Sequence, residues 1–339
     1  MKNKNDSASS GLLRSRFAVV LALLIGCAAG YILRGQVHAA SDHGIIEIRQ
    51  GGWNYINPLF ECEQAEPLLA NSALGDLERH VNDFVTRDLK KKWGDDVSVY
   101  YRELNDGLRF VIGKEKFFYP ASLIKVPMMI SILKQAETNP HLLQTKVAFN
   151  DPKLRIGQNP EVPDKLVLGS SYTVDDLVNR MIKYSDNVSY ALLLTKVADR
   201  ATYEKTYSDL GFPLPYHSGD QTQYVLSAEQ YSSCFRLLYN ASYLNKQMSE
   251  KALEYLSRSE FKFGLTANLP PTVVVAHKFG FWAENGVRLI HDCGIVYYPN
   301  NPYLICVMTS SPDKEGYDPT IGEISRFIYQ ELDHLNNRS

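Results

Sequence analysis

Cysteine is scarce in this sequence, and the few cysteines are not spaced like metal ligands. The chain has five in 339 residues: Cys27, Cys62, Cys234, Cys293 and Cys306. Neither they nor the histidines show the short spacing of a zinc site, so we predict no metal and no other cofactor. Cys293 and Cys306 fall on neighbouring predicted strands, where they are either a disulfide or two buried small apolar side chains.

The body of the chain also lacks a basic block, an internal repeat and a low-complexity tract. Its formal net charge is −2, which gives no electrostatic reason to expect a nucleic-acid partner. Hydrophobic residues make up 45% of the chain and charged residues 22%. That balance is typical of a globular protein and excludes a disordered one.

Long hydrophobic runs are absent except at the N-terminus, where Phe17–Leu33 carries no charge and follows Lys2, Lys4, Arg14 and Arg16. Such a run is just long enough to span a bilayer, and its positive flank predicts that the N-terminus stays in the cytoplasm. We interpret residues 1–40 as a cytoplasmic tip with a signal anchor. Two alternatives remain open: a lipoprotein attached at Cys27, or cleavage near Ala39. All three place the body outside the cytoplasm, at the cell membrane or secreted.

The remaining residues predict an α+β fold. Residues 41–65 read as a linker or a packed arm, and residues 66–339 as one catalytic domain. A helix over 66–92 precedes a hairpin of strands 97–104 and 108–113. Further helices are predicted at 122–136, 173–184, 188–198, 201–209, 227–239 and 248–257. Strands at 272–282, 287–298 and 303–310 and a helix at 321–332 end the chain. We therefore expect a five-stranded antiparallel sheet, flanked by the terminal helices, with an all-helical lobe inserted between its second and third strands.

The stretch "YPASLIKVPMM", Tyr119–Met129, contains a serine and a lysine three residues apart, Ser122 and Lys125. On a helix this spacing puts both side chains on one face, where a neutral amine can take the proton of a serine nucleophile. The spacing alone is weak evidence, because Ser131–Lys134, Ser259–Lys262 and Ser311–Lys314 share it. Ser122 differs from the other three in preceding a long apolar helix, whose N-terminal dipole favours a developing alkoxide.

Two further elements follow Ser122 in order. "YSDN", Tyr184–Asn187, lies between two predicted helices, and "HKFG", His277–Gly280, lies on a predicted strand. A copy, "FKFG" at Phe261–Gly264, is followed by a loop-like stretch, and we reject it. Together the three elements resemble the serine–x–x–lysine, serine–aspartate–asparagine and lysine–x–glycine motifs of the penicillin-recognising serine hydrolases. The similarity is to their class A β-lactamase-like branch, and it runs from about residue 66 to residue 335.

The resemblance implies a role for each matching residue. Ser122 is the nucleophile, Lys125 its base and Ser185 a proton shuttle to the leaving nitrogen. Asn187 holds Lys125 and the substrate amide, and Lys278 keeps the cleft positive.

Further roles follow from the same resemblance. The backbone N–H groups of Ser122 and Phe281 form an oxyanion hole. Gly280 and Arg288 bind the substrate, and Arg288 binds its carboxylate. Asp186 braces its loop. Apart from the resemblance, we interpret His277 and His291 as structural, because no second histidine lies at metal-ligand spacing. Each of these roles has an alternative without a function in catalysis. Ser185 and Asn187 could only cap a helix, Lys278 could be an exposed strand residue, and Arg288 could make a surface ion pair.

The chain departs from the class A pattern in two places. The loop Gly211–Ser227 lacks the glutamate that in class A enzymes prepares water for deacylation, and its one acid is Asp220. Phe279 stands where the family has a threonine or serine whose hydroxyl binds the substrate carboxylate. The missing glutamate predicts slow deacylation, and both departures predict weak turnover of β-lactams.

We therefore interpret the chain as a membrane-attached, extracytoplasmic serine hydrolase that forms a Ser122 acyl-enzyme with β-lactam or peptide-like amide substrates. The first alternative is a D,D-peptidase or transpeptidase that acts on cell-wall peptides. The second is a non-catalytic surface module that keeps the fold and uses the groove for binding.

Overall fold

The computed structural model describes residues 53–57, 73–89, 96–155, 162–215, 224–312 and 319–336. The predicted membrane segment Phe17–Leu33, Cys27 and the cleavage site near Ala39 lie outside these residues. Within the described part, no helix is both long and apolar enough to cross a bilayer. Of the arm predicted at 41–65, residues 53–57 are described. They pack on the domain, since the Glu250 carboxylate accepts the backbone N–H groups of Asn54, Tyr55 and Ile56 at 2.8–3.0 Å.

The described residues form seven strands and eight α-helices. The strands are β1 Asp96–Glu103, β2 Arg109–Ile112, β3 Lys146–Ala148, β4 Ser171–Thr173, β5 Val275–Glu284, β6 Val287–Val296 and β7 Tyr303–Pro312. The helices are α1 Ala73–Asp83, α2 Lys125–Thr138, α3 Val174–Lys183, α4 Asn187–Lys196, α5 Arg200–Asp209, α6 Ala228–Tyr239, α7 Lys246–Ser257 and α8 Thr320–Asn336.

Five strands form one antiparallel sheet in the order β2-β1-β7-β6-β5. The predicted α+β architecture is confirmed, because the helical lobe enters the chain between β2 and β5. Strand β5 lies at the edge of the sheet, so one side of its backbone faces away from the other strands. The hairpin turn between β1 and β2 contains Gly107 at φ 78°, a conformation that favours glycine.

Each face of the sheet packs against its own hydrophobic core. Along β1, Val99 and Tyr101 lie in the core with α1 and α8, whereas Tyr100 lies in the core with the helical lobe. A strand that is buried on both faces reads as a nearly continuous apolar run, which is how β1 and β7 read in the sequence. Helix α2, which contains Lys125, is buried along most of its length and runs through the lobe.

Local sequence signals explain several boundaries. The Thr173 side chain accepts the backbone N–H of Asp176 and caps α3, as the sequence predicts. Ser227 and Gln230 form a reciprocal capping box that starts α6.

Several elements differ from the sequence prediction. The first helix is described from Ala73 and continues as a π-helical turn, Phe84–Leu89, while residues 66–72 and 90–92 lie outside the described part. Strand β5 begins at Val275 rather than Thr272, because two prolines at 270 and 271 precede a turn there. The pair β3–β4 was not predicted, since strands of three residues are too short for an alternation signal.

Cys293 and Cys306 form a disulfide between β6 and β7, where they are register partners. Of the two alternatives that the sequence left open, the structure has the bonded one. Cys234 is a buried free thiol, and burial raises its pKa above the ordinary range.

Candidate active site

Ser122 lies on a short 3₁₀ turn, Ala121–Ile124, that leads directly into α2. The sequence predicts the serine at the start of the α-helix itself, so the structure shifts that start by one turn. The residue before it, Ala121, has φ 50°. An alanine in the left-handed region costs energy, which surrounding contacts must offset, and such positions cluster at functional sites. Ser122 is partly exposed, so a substrate can reach it.

Lys125 is one turn further on, and its side chain is buried. Its Nζ lies 3.0 Å from the Ser122 Oγ and 3.0 Å from the Ser185 Oγ. It also donates to the Ser185 carbonyl oxygen at 2.6 Å and to the Asn187 Oδ1 at 2.5 Å. The structure thus brings together four of the five residues to which the sequence assigns chemistry.

The partners of Lys125 determine what its amine can do. The Ser185 carbonyl and the Asn187 amide oxygen can only accept hydrogen bonds, so they use the two N–H groups of a neutral amine. The remaining lone pair then faces the hydroxyl of Ser122 or Ser185. Burial lowers the pKa of Lys125 to about 7, against a smaller upward effect of Asp186. The neutral form is therefore accessible near neutral pH, and it can accept the Ser122 proton.

The loop between α3 and α4 presents Ser185 and Asn187 to this lysine. Ser185 has φ 56°, a second strained non-glycine position in the site. Asp186 caps α4 by accepting the Val188 N–H at 3.0 Å and the Ser189 hydroxyl at 2.7 Å. The alternative that Ser185 and Asn187 only cap the helix is wrong. Asp186 does so, which leaves the other two side chains to contact Lys125.

Strand β5 packs against the nucleophile turn at Gly280. A Cβ on Gly280 would lie 2.8 Å from the Pro120 carbonyl oxygen and 3.2 Å from the Leu123 side chain. Only glycine allows this approach, because real Cβ atoms hardly ever come so close to backbone. Strand β5 is therefore in direct contact with the turn that carries Ser122, and Phe281 is the next residue along the strand. Their assignment as an oxyanion hole remains a prediction.

His291 fastens the same turn to the sheet. Burial lowers its pKa to about 4, so the ring is neutral at physiological pH. Its Nδ1 accepts the Thr309 N–H at 3.3 Å, which leaves the proton on Nε2. That N–H donates to the Tyr119 carbonyl oxygen at 3.0 Å. His277 is also held by protein, since its Nδ1 lies 2.9 Å from the buried carboxylate of Asp292.

Lys278 differs from expectation. It is fully buried, so it is not an exposed strand residue. Its Nζ donates to the Phe279 carbonyl oxygen at 2.8 Å and lies 4.0 Å from the centre of the Phe279 ring. Burial, and then the nearby Lys125, hold the pKa of Lys278 well below its ordinary value. The expectation that Lys278 keeps the cleft positive is therefore not supported, because its environment disfavours the charged form.

Arg288 lies on a different face of the sheet from Lys278. In the continuous register between β5 and β6, Lys278 pairs with Cys293 and Phe279 pairs with Asp292. Because side chains alternate along a strand, Arg288 shares the face of Asp292 and Phe279. It is 8% exposed. Its assignment to a substrate carboxylate remains a prediction.

Sequence reasoning missed the aromatic wall beside the site. Phe261 stacks on Phe279, with ring centres 4.1 Å apart and planes 14° apart. Phe261 belongs to the rejected copy of the lysine–x–glycine motif, so that segment reaches the site through its phenylalanine rather than its lysine. The Lys262 amine instead donates to the Ser259 carbonyl oxygen. The repeated "K-F-G" of Phe261–Gly264 and His277–Gly280 is the signal in the sequence that pointed to both segments.

The comparisons with known proteins agree with this geometry. The model of the beta-lactamase enzyme family matches residues 76–332, which is more than half of the chain. The chain belongs to the beta-lactamase enzyme family. Its members are serine hydrolases of the kind that the site geometry describes, and their fold is the α+β fold found here.

Individual relatives of this family member are distant. Beta-lactamase VEB-1 of Pseudomonas aeruginosa is 20% identical over 251 residues, which cover 69% of this chain and 83% of VEB-1. Among solved structures, a mutant of PBP-A in an acyl-enzyme complex with penicillin-G is 21% identical, with a TM-score of 0.64. That match covers 77% of this chain and 97% of the other. A beta-lactamase from Chitinophaga pinensis is 20% identical with a TM-score of 0.67, covering 76% and 99%. At these identities, the solved structures support the fold alone.

Proposed function

We propose that this protein forms an acyl-enzyme at Ser122 with β-lactams or peptide-like amides and releases the acyl group slowly. The observation that carries the proposal is the hydrogen bonding of Lys125. Its amine lies 3.0 Å from the Ser122 hydroxyl, while two acceptor-only oxygens use its N–H groups. A binding module would not need a buried lysine with a pKa of about 7 aimed at a partly exposed serine.

Acylation follows from these contacts. The Ser122 Oγ attacks the carbonyl carbon, and its proton passes to the Lys125 Nζ. The carbon–nitrogen bond of the tetrahedral intermediate then breaks, and the leaving nitrogen takes a proton from the Ser185 hydroxyl. Ser185 is replenished by the Lys125 ammonium group 3.0 Å away. The cycle returns Lys125 to its neutral form and leaves an ester on Ser122.

Deacylation needs a base that activates water, and the described chain near Ser122 offers little for this step. The loop that follows α5 has no acid in its described residues, 211–215 and 224–227, and Asp220 lies outside the described part. The end of this loop runs beside the nucleophile segment, since Leu226 and Phe118 form a β-bridge. Slow release of the acyl group is what we expect of a site with this composition.

The substrate class rests on the relatives. VEB-1 is named a beta-lactamase, and PBP-A was solved as an acyl-enzyme complex with penicillin-G. We extend β-lactam acylation to this chain on that basis. The alternative of a D,D-peptidase or transpeptidase is favoured by the same acid-poor loop, because an incoming amine can resolve the acyl-enzyme without an activated water.

We further propose that residues 17–33 anchor the protein in the cell membrane, with the catalytic domain outside the cytoplasm. The support is the uncharged run and its positive flank. A membrane-impermeant thiol reagent added to intact cells tests this orientation. The protein would be the variant Lys196→Cys, whose new thiol is on an exposed residue, in a chain whose native cysteines do not react with the reagent. Labelling only after lysis would overturn it.

Intact mass spectrometry of the full-length chain in detergent, after exposure to benzylpenicillin, tests the nucleophile. We expect a long-lived adduct of one penicillin. The variant Ser122→Ala should give none, whereas Ser131→Ala, which changes the serine–x–x–lysine pair that lies wholly within α2, should react like the parent. An adduct that survives in Ser122→Ala would refute the assignment. Rapid disappearance of the penicillin without an adduct would refute slow deacylation, and added amine acceptors that shorten the adduct lifetime would favour a transpeptidase.

A further inference from the structure

Phe279 and Phe261 place an aromatic surface where the resemblance implies a carboxylate-binding hydroxyl. We propose that these two residues make the site selective for substrates that are uncharged and apolar next to the scissile amide, and that it disfavours those with a free carboxylate there. The inference rests on the proposed acylation of Ser122 and specifies the substrate class of that same site.

The first support is that Lys278 is not available to an anion. Its side chain has no solvent exposure, and its amine is bound to the Phe279 carbonyl oxygen and covered by the Phe279 ring at 4.0 Å. A carboxylate cannot reach this amine unless Phe279 moves. Burial and the neighbouring Lys125 also hold the pKa of Lys278 well below its ordinary value, which reduces the positive charge that would attract an anion.

The second support is that Phe279 is held in place and is part of a larger aromatic surface. Its ring stacks on Phe261 at 4.1 Å, and Phe261 meets Phe263 edge-on at 6.0 Å. Phe263 is 59% exposed, and Phe281, two residues along β5 on the same face, is 55% exposed. Large exposed aromatics that continue from a catalytic cleft are typical of a binding surface.

The third support is proximity to the reacting group. The Phe279 ring lies 4.0 Å from the Lys278 Nζ, and that amine is close enough to Lys125 for the two charges to interact. Because Lys125 lies 3.0 Å from the Ser122 hydroxyl, the ring borders the place where a substrate of Ser122 would lie. The negatively charged face of an aromatic ring repels a carboxylate, and loss of hydration adds to the cost. An ester or another apolar group would gain contact area instead.

The remaining cations around the site are occupied or largely buried. Arg180 lies 3.8 Å from Asp186, and Lys183 lies 2.8 Å from Glu260. Arg288 shares the face of Phe279 but exposes only 8% of its surface. Within the described part of the chain, these cations are therefore less accessible than the rings of Phe263 and Phe281.

Benzylpenicillin and its methyl ester test the proposal, since they share one lactam and differ only in the carboxylate. We would measure the rate constant of Ser122 acylation for each by intact mass spectrometry of the full chain. Dividing each value by the rate of hydroxide hydrolysis of the same compound removes intrinsic reactivity. In the parent, the normalised ratio of ester to acid should be about 10 or more, the size expected when an ion meets an unsuitable surface.

Variants separate the aromatic wall from general damage. Phe279→Thr should lower the ester-to-acid ratio about tenfold, and Phe279→Leu, which keeps the position apolar, should leave the ratio near that of the parent. The matched control is Phe84→Thr, because Phe84 stacks on Phe327 at 4.5 Å in the other core. A ratio is insensitive to the fraction of folded protein, so partial unfolding cannot produce the shift.

The outcomes distinguish the two proposals. If the acid acylates Ser122 as fast as the ester or faster, the aromatic-selectivity inference is wrong, while the nucleophile assignment stands. If Phe279→Thr leaves the ratio unchanged, Phe279 does not determine selectivity and the inference is also wrong. If neither compound modifies Ser122 in the parent, acylation itself fails and both proposals fall together.

Discussion

Helix α2 and the turn before it contain two serine–x–x–lysine pairs nine residues apart, and the side chains of the two pairs have different contacts. Lys125 is buried with its amine 3.0 Å from Ser122, which is partly exposed. Ser131 is fully buried instead, and the Lys134 amine turns away to the Tyr243 carbonyl oxygen at 2.8 Å. The spacing is the same, so spacing does not make a catalytic pair. What differs is the surroundings that each lysine meets.

Those surroundings come from other parts of the chain. Lys125 meets Ser185 and Asn187 from the α3–α4 loop, and its serine lies under β5 at Gly280. Lys134 meets Glu137 on its own helix at 2.8 Å, and its side chain is 37% exposed. Burial lowers the pKa of Lys125 and makes its neutral form accessible. The environment of Lys125 is therefore the one that suits a base.

The sharpest way to break the comparison is to remove each amine in turn. Lys125→Met should slow acylation of Ser122 by about 10²–10⁴, the usual contribution of a positioned base. Lys134→Met should change the rate less than about twofold, since the Lys134 amine contacts Tyr243 and Glu137 rather than Ser122. Intact mass measurement of adduct formation over time gives both rates. Equal losses in the two variants would show that Lys125 acts only through stability.

The next largest effect on the acylation rate is expected from the contact between β5 and the turn that carries Ser122. Gly280→Ala adds a Cβ that would lie 2.8 Å from the Pro120 carbonyl oxygen, so β5 and the nucleophile turn must separate. We expect about 10- to 100-fold slower acylation, because small displacements of reacting groups cost rates of this order. The same rate assay, with a thermal unfolding curve as control, checks it. An unchanged rate in a folded variant would mean that the contact does not position Ser122.

The pH dependence of acylation reports the protonation state of Lys125. With a pKa of about 7, Lys125 is mostly charged below that pH and mostly neutral above it. The rate should therefore rise through pH 7 and level off, with about a tenfold loss at pH 6. Asp186 raises the pKa of Lys125, so Asp186→Asn should move the midpoint to lower pH. A flat profile between pH 5 and 9 would contradict a neutral-amine base.

The smallest effects concern the two buried serines that are not nucleophiles. The Ser131 hydroxyl has no hydrogen-bond partner in the described part of the chain, so Ser131→Ala should leave the free energy of unfolding within about 0.5 kcal/mol of the parent. Ser189 donates to the buried Asp186 carboxylate at 2.7 Å. Its replacement by alanine should cost about 1–3 kcal/mol, because a buried acceptor loses its donor. Urea unfolding of the two variants measures the contrast, and a larger cost for Ser131→Ala would reverse it.

The sequence predicted more of the fold than of the site. Strands β5, β6 and β7 and the capped helix α3 can be predicted from short stretches of sequence, because apolar alternation and the Thr173 cap act over a few residues. The three motifs identified Ser122, Lys125, Ser185 and Asn187, and the structure brings these four side chains together. The sequence did not show that Lys278 is buried with its amine against the Phe279 ring, because this contact depends on the tertiary structure.

By itself, the sequence determined the order of elements, the candidate nucleophile and the absence of a glutamate from the loop Gly211–Ser227, since each of these is written in adjacent residues. The tertiary structure alone decided which of the two pairs has a buried lysine beside a partly exposed serine, how far the pKa of Lys125 falls and which ring covers Lys278. Burial and contact between residues distant in the chain set these properties. They depend on the shape of the folded protein, which no local pattern records.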